Sequence, residues 1–241
     1  MTIAIWKHLA ASILSGRTEL IRRLRWFVST PAERRHSMVG AAKLWKMKRE
    51  FQINFLRQVG LEPQHYLLDI GCGTLRGGIP IIEYLEVGHY FGIESRRQVL
   101  DEGRRELQEF GLSHKQPQLI AADNILTIKL DKMMDYIWAF SVLLHMKDKI
   151  LYDTLRFVSL NLADTGFFFA NVNIGKKLDG KWQGFPIVWG SLSFYEKACA
   201  DNGLKINDIG SLKGFGHISG VELQDQQRML KIWKEGKRSQ G

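Results

Sequence analysis

The hydrophobic positions along the chain change their spacing near residue 60, and this change divides the sequence into two regions. Apolar residues recur at helical spacing over residues 2–15, 17–28 and 38–58, which predicts three amphipathic helices. From residue 65, short apolar runs alternate with helical segments, as in a parallel sheet covered by helices. We therefore predict a helical N-terminal extension over 1–60, an α/β domain over 61–235 and a polar tail over 236–241.

The second region contains seven apolar runs, which predict seven strands. They are residues 66–70, 89–94, 118–122, 134–140, 166–172, 204–210 and 227–233. The expected architecture is α/β, with a doubly wound, mostly parallel seven-stranded sheet. Residues 173–190 are irregular and aromatic, and their side chains either stack on a ligand or form a cluster that pins the loop. Ser193 is predicted to cap the helix that follows this loop.

The first predicted strand ends in a glycine-rich turn. Gly71 and Gly73 allow a sharp turn and the close approach of a ligand to the backbone. A dinucleotide fingerprint would need a third glycine at position 76, where the chain has Arg76. Asp69 lies at the carboxyl end of the strand, where we expect its side chain to reach a ligand above the turn.

The pattern Asp69-x-Gly71-x-Gly73 resembles motif I of the class I S-adenosylmethionine-dependent methyltransferases, which have a Rossmann-like fold. The resemblance covers about residues 60–235 and implies that S-adenosyl-L-methionine is the cofactor. In this family the glycine turn packs under the methionine part of the cofactor, and the acid helps to hold its ammonium group. The implied cofactor-binding residues of this motif are Asp69, Gly71, Cys72, Gly73 and Thr74.

Three later strand ends supply further candidate cofactor-binding residues. Glu94 follows Asp69 by 25 residues, close to the separation expected for an acid that accepts both ribose hydroxyls. The alternative for Glu94 is a solvated loop carboxylate. In the family a polar residue after the third strand bonds the adenine amino group, which implies Asp123 or Asn124, although either also suits a helix cap. Phe140, at the end of the fourth strand, completes the set.

In this family the methyl acceptor lies near the end of the fourth strand. The chain has neither the Asn/Asp-Pro-Pro-Tyr/Phe pattern of amino-group methylation in adenine or glutamine nor the Pro-Cys pair of cytosine methylation at this point. His145 is the first candidate for a catalytic base, and His217 is the second. The alternative for His145 is a packing role at the start of the next helix. No spacing of metal ligands is recognisable, so we expect no metal.

The charge of the 241-residue chain, +9 at neutral pH, is concentrated in its N-terminal part. Residues 1–64 contain twelve Lys/Arg and four Asp/Glu, whereas residues 65–241 contain twenty-two and twenty-one. A nucleic-acid partner is therefore not favoured. The basic amphipathic segment 1–30 suits peripheral contact with an anionic membrane, or packing on the domain or on a second subunit. Two cysteines and the lack of a long apolar run indicate a cytoplasmic location.

Together these patterns predict an S-adenosylmethionine-dependent methyltransferase that modifies an oxygen or nitrogen atom of a small molecule or glycan. The first alternative is an RNA or protein methyltransferase that holds its substrate through the basic N-terminal segment. The second is a non-catalytic, cofactor-binding scaffold protein. The third is a nicotinamide-dependent oxidoreductase, which Arg76 in the glycine turn disfavours.

Overall fold

The computed structural model describes residues 30–176, 180–182 and 184–236. The helices predicted over 2–15 and 17–28, and the membrane or subunit contact proposed for them, lie outside the described residues. The chain divides into two compact units, Met1–Ala42 and Lys43–Gly241. The described part of the first unit contains helix α1 (Pro31–Ser37), which begins with a capping box between Thr30 and Glu33.

The second unit contains the remaining helices and all strands of the described residues. The helices are α2 (Trp45–Gln58), α3 (Gly78–Tyr84), α4 (Arg97–Glu109), α5 (Asp148–Asn161), α6 (Leu192–Ala200) and α7 (Glu222–Asp225). The strands are β1 (Leu67–Ile70), β2 (Tyr90–Glu94), β3 (Gln118–Ala121), β4 (Met134–Ala139), β5 (Leu162–Val172), β6 (Gly180–Trp182), β7 (Phe185–Ile187), β8 (Leu204–Ser211) and β9 (Arg228–Lys234).

Seven of these strands form one sheet in the order β3-β2-β1-β4-β5-β9-β8. Strands β1 to β5 are parallel, and β9 is antiparallel to both of its neighbours. The predicted α/β fold with a mostly parallel seven-stranded sheet is confirmed. The strand order reverses between β1 and β4, and in such sheets a ligand binds outside the carboxyl ends of the strands at this point.

Helix α2 belongs to the α/β unit, so the division of the chain lies closer to the N-terminus than residue 60. Phe51 and Phe55 on its apolar face are buried. The Phe55 ring stacks on Trp138 of β4 with their centroids 5.4 Å apart, and Trp138 Nε1 donates to Gln52 Oε1 at 3.0 Å. These contacts hold α2 against the sheet, and its first turn comes near the glycine turn.

The segment after β5 is more regular than the sequence indicates. Within it, β6 and β7 form a two-stranded antiparallel hairpin. Helix α6 then begins after Ser191, whose hydroxyl accepts from Phe194 N at 3.1 Å, so the prediction of Ser193 as the cap is wrong. Ser191 has the extended backbone that an N-cap requires. Within residues 30–236, apart from the undescribed positions, no helix is long and apolar enough to span a bilayer.

Candidate active site

The glycine turn between β1 and α3 is tied closely to the end of β2. Gly71 and Gly73 adopt positive φ angles of 73° and 59°, which glycine tolerates at the least energetic cost. A Cβ at Gly71 would lie 2.5 Å from a methyl group of Val142. The amides of Gly71 and Cys72 both donate to the Ile93 carbonyl, at 2.8 and 3.1 Å. The turn therefore holds its backbone beside Glu94, the last residue of β2.

Two further glycines, Gly77 and Gly78, make room for polar side chains under the turn. A Cβ at Gly77 would lie 2.3 Å from Gln52 Oε1, and one at Gly78 would lie 2.6 Å from the Tyr90 hydroxyl. Gln52 uses this space to accept from Trp138. Tyr90 uses it to donate to Asp69 Oδ2 at 2.7 Å. The double glycine is thus required for packing beneath the site.

Asp69 lies beneath the glycine turn and is 4 % exposed. Burial raises the pKa of its carboxyl to about 7, against the opposing effect of the Tyr90 hydrogen bond. The side chain is thus already engaged with Tyr90, which differs from the expectation that it is free to reach a ligand. Its contact with the cofactor stays a prediction.

Glu94 is a buried carboxylate with defined partners, and it is not a solvated loop residue. It is 5 % exposed, and its Oε2 accepts from Gly73 N at 3.1 Å. Its Oε1 accepts from the backbone N and the Nε of Arg96, at 3.0 and 3.1 Å. A carboxylate so placed retains lone pairs that can accept hydroxyl groups of a ligand beside the turn. The predicted ribose role of Glu94 fits this arrangement.

Thr74 provides a test of whether a polar ligand fits the turn. Its Oγ1 is buried and has no hydrogen-bond partner among the described residues, although such groups are normally paired. It follows Gly73 directly and lies in the same turn as the Gly73 amide, which donates to Glu94. Cys72 is buried, and burial raises the pKa of its thiol well above the usual value. The chemistry of the turn fits a nucleoside bearing hydroxyl and amino-acid groups, with Cys72 as a neutral packing residue.

The two adenine candidates differ in their surroundings. Asn124 Oδ1 accepts from Leu126 N at 3.0 Å and caps the short 3₁₀ turn Ile125–Thr127. This is the capping role that the sequence left as the alternative. Asp123 is exposed after β3, and its contact with adenine stays a prediction.

A network of side-chain amides holds the backbone at the end of β4. Phe140 is buried and stacks on Trp138, with centroids 5.7 Å apart and planes 6° apart. Ser141 has a positive φ of 60°, and its amide donates to Asn171 Oδ1 at 2.7 Å. Asn171 in turn donates to Gln227 at 2.7 Å. These bonds fix the direction in which the chain leaves β4.

His145 packs against the hairpin of β6 and β7. Its Nδ1 lies 2.7 Å from the Pro186 carbonyl oxygen, and its ring stacks on Trp182 with centroids 5.7 Å apart. Burial is the main cause of its lowered pKa, and the charge of Arg96 adds to the effect. The same hairpin places Phe185 under the guanidinium of Arg96, at 5.2 Å from the ring centroid. The contacts suit the packing alternative, and the catalytic role of His145 stays a prediction.

His217 forms a dyad with Asp225, a residue that the sequence reading did not single out. His217 Nδ1 lies 2.8 Å from Asp225 Oδ1, which also accepts from Ser219 N at 2.9 Å. His217 Nε2 is buried and has no hydrogen-bond partner among the described residues. Burial lowers the pKa of His217 and outweighs the opposing effect of Asp225. The available signal was a histidine in a glycine-rich stretch with an aspartate eight residues later, which is weak by itself.

The dyad faces the end of β4 across two aromatic rings. The His217 ring lies edge-on to Phe51 at 5.1 Å between centroids, and 5.8 Å from Phe140. Lys48 Nζ, from the first turns of α2, is 5.9 Å from the centroid of the same Phe140 ring. Helix α2, the end of β4 and the loop before β9 therefore meet at the carboxyl edge of the sheet.

Two buried cations lie in this region. Lys48 is 9 % exposed and Arg76 is 8 % exposed. Burial, together with the charge of Arg76, lowers the pKa of Lys48 to about 7. Burial also lowers the pKa of Arg76 to about 10, which leaves it charged at neutral pH. The sequence marks Arg76 only as a departure from the dinucleotide pattern and does not reveal its proximity to Lys48.

Comparison with known proteins connects this fold and site to one class of enzyme. Residues 68–168 match the family model described as a methyltransferase domain. An S-adenosylmethionine-dependent methyltransferase from Clostridium acetobutylicum ATCC 824 superimposes with a TM-score of 0.60 at 14% identity, over 80% of this chain and 92% of that one. No curated protein matches the sequence closely enough to count as a relative.

Two further structures of similar fold have named substrates. Magnesium protoporphyrin IX methyltransferase from Synechocystis PCC 6803, solved with its cofactor, has a TM-score of 0.60 at 16% identity, over 90% of this chain and 92% of that one. The glycopeptide N-methyltransferase MtfA, complexed with sinefungin, has a TM-score of 0.61 at 13% identity, over 78% of this chain and 87% of that one. At such identities the likeness establishes the fold.

The fold and its glycine turn are those of a Rossmann-like transferase, and the family match specifies the transferred group. Residues 68–168 of the chain match a methyltransferase domain, and the fold is the one seen in S-adenosylmethionine-dependent methyltransferases. The predicted family, enzyme class and cofactor are confirmed. The oxidoreductase and non-catalytic alternatives are thereby set aside.

Proposed function

We propose that the protein transfers a methyl group to an oxygen or nitrogen atom of a small molecule or glycan, with His217 as the general base. The observation that carries this proposal is the buried, unpartnered Nε2 of His217 beside Phe140. An unpaired nitrogen of this kind is unfavourable in a folded core unless a ligand satisfies it. The end of β4, where Phe140 lies, is the region in which this family binds its acceptor.

The dyad has the chemistry that a hydroxyl or amine acceptor needs. Because Asp225 accepts from Nδ1, the neutral imidazole of His217 leaves a lone pair on Nε2. Nε2 takes the proton from the acceptor, and Asp225 stabilises the imidazolium that forms. S-adenosylmethionine, when bound, would supply an activated methyl group, and the electrons of the broken carbon–sulfur bond would stay on sulfur.

His217 is a better candidate than His145 for this proton transfer. Asp225 is a carboxylate and favours the protonated ring of His217, whereas the partner of His145 is a neutral carbonyl. Positive charges oppose protonation of both rings, Arg96 at His145 and Lys48 and Arg76 at His217, so the carboxylate partner is what distinguishes His217. We therefore propose that His145 positions the hairpin of β6 and β7 and that His217 accepts the proton.

A small acceptor is favoured by the burial of the dyad. His217 is 1 % exposed, so an acceptor atom must pass the rings of Phe51 and Phe140 to reach Nε2. A phenol, an amine or a sugar hydroxyl is small enough for such an approach. The structural neighbours named above act on a porphyrin and a glycopeptide, which is compatible with this substrate class.

The two buried cysteines fit the cytoplasmic location proposed from the sequence.

The proposal is tested by methyl transfer from labelled S-adenosylmethionine to a panel of phenols, amines and saccharides. Once an acceptor is found, His217→Gln should lower kcat by about 10²- to 10⁴-fold, the usual contribution of a general base. Binding of S-adenosylhomocysteine, measured by calorimetry, should stay unchanged in this variant. His145→Gln is the matched comparison and should retain the larger part of kcat.

The pH dependence of kcat gives a second readout. Since the pKa of His217 lies below its usual 6.5, wild-type kcat should be constant near neutrality and fall only under acidic conditions, where Nε2 is protonated. The acidic limb should be absent from His217→Gln. The proposal would be contradicted if His217→Gln had the same kcat as the wild type. It would also be contradicted if the protein methylated RNA or protein but none of the small acceptors.

A further inference from the structure

Lys48 is a largely buried cation on the acceptor side of the site. Within the described residues no carboxylate forms an ion pair with it. Its ammonium contacts the Phe140 ring, and within the described residues it forms no ion pair and donates no side-chain hydrogen bond. Asp225 lies close enough to influence it, but the Oδ1 of Asp225 is engaged by His217 and Ser219. An ammonium largely removed from water is stabilised by an opposite charge or by several acceptors.

Several charged groups act on one another in this region. Arg76, from the glycine turn, opposes the charge of Lys48, and both Lys48 and Arg76 oppose protonation of His217. Asp225, the last residue of α7, is the acidic group that acts on Lys48. Two cations and one engaged carboxylate thus lie beside the rings of Phe51 and Phe140. An oxyanion bound beside Lys48 would compensate the charge of its ammonium.

We propose that the methyl acceptor is an anion, and that Lys48 binds its carboxylate or phosphate group while His217 Nε2 faces its nucleophilic atom. This inference rests on the proposed function, because it assumes that the protein methylates an acceptor. It assigns Lys48 to that acceptor and not to the cofactor. The aromatic walls favour an acceptor whose anionic group is attached to a ring or another apolar body. The acceptor would therefore be a compact apolar molecule that carries an oxyanion. This oxyanion is either a carboxylate or a phosphate monoester.

The experiment measures anion binding without turnover. The full-length protein is saturated with S-adenosylhomocysteine and titrated in a calorimeter with benzoate, phenyl phosphate and benzamide. Benzoate and benzamide have nearly the same shape and differ in charge. Binding of benzoate or phenyl phosphate at millimolar concentration or below, with at least about tenfold weaker binding of benzamide, is expected from the charge-assisted bond. Whichever of benzoate and phenyl phosphate binds more tightly shows whether the site prefers a carboxylate or a phosphate.

Substitutions then assign the effect to Lys48. Lys48→Met preserves the aliphatic length and should weaken anion binding at least about tenfold while affinity for S-adenosylhomocysteine is retained. Lys46→Met is the control, because Lys46 is on the same helix with its side chain 88% exposed. Lys48→Arg should restore anion binding. Since the pKa of Lys48 is about 7, wild-type anion affinity should fall as the pH rises above this value, whereas Lys48→Arg should not show this fall.

Each other outcome overturns the inference. Equal binding of benzamide, no binding of either anion, or unchanged anion binding by Lys48→Met would show that Lys48 does not select an anionic acceptor. Weaker binding of S-adenosylhomocysteine by Lys48→Met, with anion binding intact, would assign the ammonium to the cofactor carboxylate. Failure of the wild-type protein to bind S-adenosylhomocysteine would count against the function itself, which separates the two proposals.

Discussion

Asp69 illustrates at the scale of a single residue how the fold changes an ionisation. Burial raises the pKa of its carboxyl from 3.8 to about 7. In the unfolded chain the carboxyl has its ordinary pKa, so from about pH 4 to about pH 7 the folded state holds a proton that the unfolded state has released. The free energy of unfolding should therefore decrease as the pH rises through this window.

We predict that Asp69→Asn removes this decrease. The neutral amide does not titrate, and its oxygen can still accept the Tyr90 hydroxyl. Urea denaturation at about pH 5 and about pH 7.5 measures the effect. Asp164→Asn is the control, because the Asp164 side chain is 93% exposed, and it should keep the wild-type dependence. The same dependence in Asp69→Asn and wild type would show that Asp69 is ionised in the folded protein at all these pH values.

The same residue shows what the sequence allows one to predict. The position of Asp69 at the end of a strand, and of Glu94 at the end of the next, follows from apolar runs that end in an acid. The hydrogen-bond partners of these two acids cannot be predicted from the apolar runs. Tyr90, whose hydroxyl meets Asp69, is 21 residues further along the chain, and only the parallel pairing of β1 with β2 brings the two together.

At the scale of elements, the contact between α2 and the glycine turn depends on Gly77. Gln52 fills the space in which a Gly77 side chain would lie, and it holds Trp138 Nε1 at the same time. Gly77→Ala would bring a methyl group to 2.3 Å from Gln52 Oε1. The shift of Gln52 would leave the buried indole N–H unpaired or displace α2 from β4.

We therefore predict that Gly77→Ala lowers the free energy of unfolding by about 1–3 kcal/mol, the usual effect of overpacking. Gly214→Ala is the matched control, because its new methyl group would be 3.7 Å from Ser211 Oγ, an ordinary contact. Chemical denaturation of both variants tests the difference. Equal stability of the two variants would show that Gln52 can move without loss.

Elements were predictable where they were long and regular, and less so where they were short. All seven strands of the main sheet follow from apolar runs, but β6 and β7 have three residues each, too few for a periodic pattern. Pro186 within β7 argues further against a strand. The dyad of His217 and Asp225 is similarly hidden, because its geometry depends on the loop and on α7, a helix of four residues.

At the scale of the whole molecule, the apolar core lies within one of the two units. Both hydrophobic clusters are formed by residues between Phe51 and Ile232 on the two faces of the main sheet. All the predicted cofactor-binding residues fall between Asp69 and Phe140. The first unit, residues 1–42, contains seven Lys/Arg and two Asp/Glu, and its described residues, 30–42, contribute no member to either cluster.

We predict that a fragment of residues 43–241 folds cooperatively and binds S-adenosylhomocysteine with about the affinity of the full chain. The physical reason is that a domain with its own core folds by itself, and that the glycine turn, Glu94 and their partners all belong to this fragment. Thermal unfolding followed by circular dichroism, with calorimetric titration, provides the measurement. A second fragment, residues 61–241, is the matched comparison: it lacks α2 and with it Phe55 and Gln52, so it should unfold without a cooperative transition. Equal stability of the two fragments would mean that α2 is dispensable, and an unfolded 43–241 fragment would mean that the core requires the first unit.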